Sequence, residues 1–332
     1  MADLDLLVLG DVNPDLVLSD AAMDVAFGQA ESLVDDAELT IGGSGAIMAC
    51  GAARLGLRTA LAGLVGADQF GEFMLRAVSE RGVDVSGVTV SGELRTGLTV
   101  VLARPDDRAI LTFPGAIAAM TAERVDADLL ARARHVHVAS FFLQTALVPG
   151  LAALLRSARA HGATTSVDPN WDPAQQWDGG LLRLLGEVDI LLPNAAEACR
   201  LAGAAGAEVA DVADVADVTD VTDVADVAAT KLAEAGPLVA VKLGADGAVA
   251  APAGGKGELV RAAPPEQVVD AVDAVGAGDA FDAGLLCALL SGEPLAEALA
   301  LACACGTLSM RAGGGTEAQP TLAEASAVTR RA

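Results

Sequence analysis

The chain is short of positive charge. Lys and Arg number 21 against 45 Asp and Glu, a formal net charge of −24 at pH 7. A chain this acidic repels a nucleic-acid backbone and an anionic membrane, so neither is an expected partner. Any phosphorylated ligand would need local backbone donors and a metal. The five cysteines, at 50, 199, 287, 303 and 305, include no CxxC pair and stand among apolar residues. That fits buried thiols in a reducing cytosol better than a disulfide framework or zinc site. At the N-terminus Asp3 and Asp5 stand where a signal peptide would carry basic residues, so a cytoplasmic protein is expected. Long apolar runs are also lacking. Mean hydropathy is high, at +0.47. Yet the uncharged stretch from Val138 to Leu155 is broken by Gln144, Pro149 and Gly150, and strand, loop and helix account for it better than a membrane span.

What is there begins with length: 332 residues can bury a large core, as one α/β domain or as a domain with a smaller appendage. The stretch from Asp270 to Gly284 organises the rest. Gly276-Ala277-Gly278-Asp279 precedes an apolar helical run, and small residues there let successive N–H groups converge. At a helix N-terminus such a hole attracts phosphate. A carboxylate at its mouth is costly unless it takes a proton from a hydroxyl attacking that phosphate, the role open to Asp279. A glycine-rich turn with Asp279 as a helix cap reads these residues equally well.

Leu4 to Leu9 reads as a buried strand opening into Gly10-Asp11-Val12-Asn13-Pro14-Asp15. Asn13 and Asp15 are placed to grip vicinal hydroxyls, although an Asx turn also explains them. Leu16 to Ser19, Ala37 to Ile41 and Leu98 to Ala103, with a turn at 104–108 and a return through 109–113, predict a small sheet standing apart as a lid. Between them Gly42-Gly43-Ser44-Gly45 opens an Ala-rich helix, with neither a Walker A lysine nor a GxGxxG fingerprint. From Thr59 on, strands alternate with helices: Thr59 to Val65, Phe70 to Arg81, Val136 to Phe142, Leu151 to Ala160, Thr164 to Val167, Ile190 to Leu192 and Leu238 to Leu243. Such alternation predicts a parallel sheet covered on both faces. His135 and His137 share one side of a strand, but no third metal ligand accompanies them. Asn194 and Glu197 at i, i+3 suit a hydrated Mg²⁺ or, equally, a capping box. The Asp-Val-Ala and Asp-Val-Thr repeat from Glu208 to Val227 makes no clean apolar face and reads as a solvated, partly helical insert. The turn after Lys242, with Gly244 and Gly247, is open enough for a nucleotide or for a plain hairpin.

Together Gly42-Gly43-Ser44-Gly45-Ala46 and Asp273-Ala274-Val275-Gly276-Ala277-Gly278-Asp279-Ala280-Phe281 resemble the two signatures of the ribokinase-like (PfkB) sugar kinases. Gly10 to Asp15, Asn194 to Glu197 and Leu243 to Gly247 follow in matching order, so the resemblance spans nearly the whole chain. It implies a doubly wound α/β fold, with a mostly parallel sheet and a small β-sheet lid. One kinase domain would cover 1–332, with lid segments at about 13–41 and 96–114 and a low-complexity insert at about 206–228. The implied activity is transfer of the ATP γ-phosphoryl to a sugar hydroxyl, with ATP, Mg²⁺ and a monovalent cation such as K⁺ as cofactors. By position the catalytic base is similar to Asp279 and the anion hole to Gly276, Ala277 and Gly278. The sugar site falls on Asn13, Asp15, Gly42, Gly43, Ser44 and Gln144, and the nucleotide site on Lys242, Gly244 and Gly247. Asn194 and Glu197 match the Mg²⁺ motif, and Asp273 with the loop from Arg311 to Gly315 resembles the monovalent-cation site.

Three departures bear on substrate. Ala274 stands where threonine is common, Ile47 where ribokinases have asparagine, and Asp172 where some relatives carry arginine after an Asp-Pro-Asn turn. The last favours a neutral sugar or nucleoside over a phosphorylated or acidic one. The expectation is an ATP-dependent kinase of a neutral carbohydrate, with a nucleoside kinase or a non-catalytic sugar binder as alternatives and a nucleotide-dependent oxidoreductase as a weaker rival. Exposed lid strands make a lid-to-lid homodimer the expected assembly.

Overall fold

The computed structural model describes residues 3–20, 25, 28, 31–104, 108–207, 218–265 and 271–329. β1 (Leu4–Leu9), whose apolar residues go to both faces of the sheet, is central. Leu7 and Leu9 join one core, Leu6 and Val8 the other. Outward from β1 on one side lie β4 (Thr59–Gly66) and β5 (Asp84–Ser91). On the other side come β8 (Ala133–Val138), β9 (Thr164–Val167), β10 (Ile190–Leu191), β11 (Leu238–Lys242), β12 (Ala248–Ala251) and β13 (Val260–Ala262). Pairing is parallel from β5 through β11, and β12 and β13 add antiparallel edges.

Both faces are covered, which makes the fold doubly wound. One core takes residues from α3 (Ala127–Arg132), α4 (Val148–Ala160), α5 (Leu181–Leu184), α6 (Ala195–Ala204) and α7 (Val218–Ala233). The other takes α1 (Ser44–Arg54), α2 (Gln69–Glu80), α8 (Ala277–Leu290), α9 (Leu295–Ser309) and α10 (Leu322–Thr329). A separate four-stranded sheet is formed by β2 (Asn13–Ser19), β3 (Asp36–Gly42), β6 (Leu98–Ala103) and β7 (Arg108–Phe113), in the order β3-β2-β6-β7. No helix among the described residues is long and apolar enough to cross a membrane.

Several elements differ from the sequence reading. β8 starts at Ala133 and ends at Val138, and Phe141–Leu143 form a single 3₁₀ turn, so the expected strand over 136–142 is displaced. Its opening, Arg134-His135, is too polar to read as buried strand, yet His135 is 1% exposed. Residues 208–217 of the repeat lie outside the described residues, as do 105–107 of the lid turn and 266–270 before the glycine-rich stretch. From Val218 the repeat is no separate insert: it continues into α7, whose Ala225, Ala228, Ala229 and Leu232 are buried. Alanines and Leu232 supply the apolar face that the triplet period alone does not. All five cysteines are free and buried.

Candidate active site

Asp11, Ser140, Asp168, Asn194 and Lys242 follow or end β1, β8, β9, β10 and β11, and α1, α6 and α8 start at the same edge. This is the carboxyl edge of the sheet, where α/β folds bind ligands. Gly276 caps α8 in the left-handed region, at φ 73° and ψ 3°. A Cβ there would stand 2.7 Å from the Cα of Gly315, so the turn requires glycine. The N–H of Ala277 donates to Ala274 O at 3.3 Å, a partial departure from its expected place in the anion hole. Gly276, Gly278 and Asp279 present the remaining first-turn amides.

Asp279 lies in that first turn, and its Oδ1 accepts a hydrogen bond from the hydroxyl of Ser44, at the start of α1. Burial pushes its carboxyl up to about 7. The Ser44 hydrogen bond and the Lys242 ammonium oppose this, while the Asp168 and Asp11 carboxylates reinforce it. α1 has no capping side chain of its own. Asp11 serves instead, accepting from Gly45 N at 2.8 Å, Ser44 N at 3.2 Å and Ser140 Oγ at 3.0 Å. Sequence reading missed Asp11, although an aspartate directly after a buried strand was its visible signal.

Beneath the α8 turn lies a buried charge cluster that the sequence did not disclose. Lys242 Nζ donates to Asp168 Oδ2 at 2.8 Å and reaches both carboxylate oxygens of Asp282 at 3.3 Å. Burial works against the Lys242 charge, but Asp168, Asp282 and Glu197 outweigh it and hold its pKa above the ordinary lysine value. Burial likewise opposes ionisation of Asp168, and Lys242 with its hydrogen bonds keeps that carboxyl below the usual range. Burial, reinforced by the neighbouring Asp168 and Asp279 carboxylates, pushes Asp282 well up against the opposing charge of Lys242. Farther in, His135 and His137 bond to Thr164 and Ser166, and burial lowers them to about 3 and about 4. They are neutral packing groups, and the described residues contain no cluster of three or more metal-ligating side chains.

A cavity of about 510 Å³ opens between this edge and the lid. Of the expected sugar residues, Asp15, Gly43 and Ser44 line it, together with Gly276 and Asp279. Burial and the nearby Asp11 carboxylate raise Asp15 to about 7. Asn13 stands behind, donating to Thr99 Oγ1 at 3.2 Å and Asp15 Oδ1 at 3.4 Å. Gly42 makes room for Asp15, whose Oδ1 would lie 1.9 Å from a Cβ at that position. Gln144 does not reach the cavity. It is 1% exposed and its amide donates to Ala139 O at 2.6 Å and Leu9 O at 3.3 Å, bracing the ends of β8 and β1. Asp172 is likewise committed elsewhere, accepting from the amides of Ala174, Gln176 and Trp177. Asn170, at the carboxyl end of β9, also lines it, and among the lining residues that sequence reading missed are Thr99, Arg108, Ser140 and Trp171. Asp273 accepts from Val275 N at 2.9 Å and Gly314 N at 3.1 Å, and Arg108 approaches it at 3.8 Å.

Asn194 and Glu197 form a capping box on α6, each side chain accepting from the other's backbone N–H at 2.9 Å. Burial, followed by the charge of Asp168, raises Glu197 to about 7. A buried carboxylate beside another is a donor set that fits Mg²⁺, which needs few protein oxygens when phosphates and water complete its shell. Lys242, expected at the nucleotide, points into the charge cluster. Gly244 and Gly247 occupy the β11–β12 turn, both at positive φ (62° and 83°), and space above Gly244 is open.

This edge brings a glycine-rich helix start, a buried carboxylate and a cavity beneath a small separate sheet together. Residues 3–322 match the pfkB family carbohydrate kinase model. The chain therefore belongs to the pfkB family and is an ATP-dependent carbohydrate kinase. An ATP-dependent ribose-1-phosphate kinase of Halopiger xanaduensis is 31% identical to it over 328 residues, covering 98% of each chain. A ribokinase of Haemophilus influenzae is 29% identical over 327 residues, covering 96% of each. Arabidopsis thaliana ribokinase, solved with ribose and ATP, shares the fold at TM-score 0.79 and 23% identity, with 99% of each chain covered.

Proposed function

We propose that the chain phosphorylates a hydroxyl of a neutral carbohydrate, with Asp279 as general base. The observation that carries this reading is the position of Asp279, on the cavity wall and in the first turn of α8, beside the amides of Gly276 and Gly278. A carboxyl near 7 is matched to taking a proton at neutral pH. As the hydroxyl oxygen bonds to the γ-phosphorus its proton passes to Asp279, the bond to the bridging oxygen breaks, and ADP leaves with the electron pair. The α8 amides face the charge that gathers on the phosphoryl oxygens. When bound near Asn194 and Glu197, Mg²⁺ supplies charge neutralisation on the phosphates. Asp15, braced by Asn13, and Gly43 orient the sugar, while the open space above Gly244 leaves room for the nucleotide; Gly247, packed against Ala262 O, shapes the turn.

A single domain in the cytoplasm belongs to the same reading, as do a monovalent cation at Asp273 and a homodimer through the lid. The outer edge strand β7 supports the dimer, since Leu111 and Phe113 are 59% and 51% exposed.

A sugar monophosphate is the second reading. Arg108 brings a cation to the cavity lining, and Asp172, the sequence signal for a neutral substrate, is absent from it. The relative named as a ribose-1-phosphate kinase supports this alternative. ADP release from Mg-ATP over a panel of neutral sugars, sugar monophosphates and nucleosides tests the readings. Turnover with a neutral sugar supports the first and turnover confined to sugar phosphates the second. Preference for a nucleoside replaces both, and ATP binding without any turnover indicates a non-catalytic binder.

A further inference from the structure

The proposed base occupies a pocket where carboxylates abound. Asp11 faces Asp279 from the end of β1 and Asp168 from the end of β9, Asp282 lies one turn along its own helix, and Asp15 shares its cavity. A neutral hydroxyl comes from Ser44 on α1. The cations nearby are Lys242 on β11 and, across the cavity on the lid, Arg108. Lys242 is fixed: its ammonium is clamped by Asp168 and Asp282, with the side chain 13% exposed. It also lies directly under the anion hole, since a Cβ built on Gly278 would stand 3.7 Å from Nζ.

We infer that Lys242 is the positioning residue that lets a carboxylate serve as base here. Its ammonium offsets the surrounding carboxylates so that Asp279 is ionised when the acceptor hydroxyl arrives, and it keeps a positive charge beneath the amides that receive the phosphoryl group. This departs from a nucleotide-gripping role, and it rests on Asp279 being the base of the proposed reaction. The clamp explains the geometry. An unpaired lysine would swing towards bulk water or the nucleotide, whereas two buried carboxyls hold it still and leave the cluster nearly neutral.

The test compares wild type, Lys242→Met, Lys242→Arg and the double variant Lys242→Met/Asp168→Asn, with thermal melts, ATP binding, and kcat and kcat/KM as functions of pH. In Lys242→Met, kcat falls by about a hundredfold, the KM for ATP stays within about threefold, and the acidic limb of kcat/KM moves up by about one pH unit. Lys242→Arg restores the limb to its wild-type position. If Lys242→Met does not fold, the double variant, which removes both charges of the ion pair, carries the test. Its limb returns close to wild type because Asp168 no longer raises Asp279, while kcat stays at least about tenfold low for want of the cation. Three results overturn the inference: an unmoved limb with kcat within about threefold in Lys242→Met, wild-type kcat in the double variant, or a loss confined to ATP affinity. A wild type that turns over no acceptor overturns the base assignment and the inference together. An active wild type with indifferent variants overturns the inference alone.

Discussion

The hydroxyl of Ser44 donates a hydrogen bond to Oδ1 of Asp279 across 235 positions of sequence, tying the first turn of α1 to the first turn of α8. That bond favours the ionised carboxylate, so its loss lets burial push Asp279 higher than about 7. Ser44→Ala is therefore expected to move the acidic limb of kcat/KM up by about one unit, the equivalent of one hydrogen bond to a charge. Turnover should fall most below pH 7 and recover to within about threefold at high pH. A drop of equal size at every pH would show that the bond does not tune the base.

Much of this arrangement was legible in the chain. β1 and β9 fall on the residues their apolar runs marked, and glycine spacing located the α8 turn and Asp279. The charge cluster was not legible, because Asp168, Lys242 and Asp282 belong to three elements that only the parallel sheet brings together, and pairwise distance has no sequence signature. Gln144 failed for the opposite reason. A residue after a strand end can turn its amide back onto strand carbonyls instead of towards a ligand. α7 was obscured by the triplet repeat, whose aspartates suggested solvent while Ala225 and Ala228 were building a core face.

Gly276→Ala should be severe. The residue sits at φ 73° and its added methyl would meet Gly315 at 2.7 Å, backbone against backbone. Left-handed strain and overpacking together should cost about 2–4 kcal/mol of stability, and the displaced amides should lower kcat by at least about tenfold. Chemical denaturation and steady-state kinetics measure the two losses separately.

Away from the site, Asp5 holds Arg58 at 2.9 Å and Arg134 at 3.1 Å. The Arg58 hydrogen bond, ahead of opposing burial, depresses the Asp5 carboxyl well below its ordinary range. A depressed carboxylate stabilises the fold above its unfolded value, 3.8, and this contribution is lost as pH falls through the folded value. Both arginines are substantially exposed, so Asp5→Asn is expected to cost only about 1 kcal/mol at pH 7. The gap from wild type should close under acid, as denaturation midpoints across pH will show.

A net charge of −24 predicts a protein that gains from salt. Screening shortens the reach of carboxylate repulsion to about 3 Å at 1 M, so Tm should rise from low salt towards molar KCl. A Tm that falls steadily over that range would show that ion pairs outweigh the repulsion.

The central claim is that Asp279 takes the proton of the acceptor hydroxyl. The direct measurement is single-turnover ADP formation with the best acceptor, comparing wild type with Asp279→Ala at matched ATP occupancy. The account predicts a fall of at least about a hundredfold with nucleotide affinity retained. A variant that turns over within about threefold of wild type would contradict it.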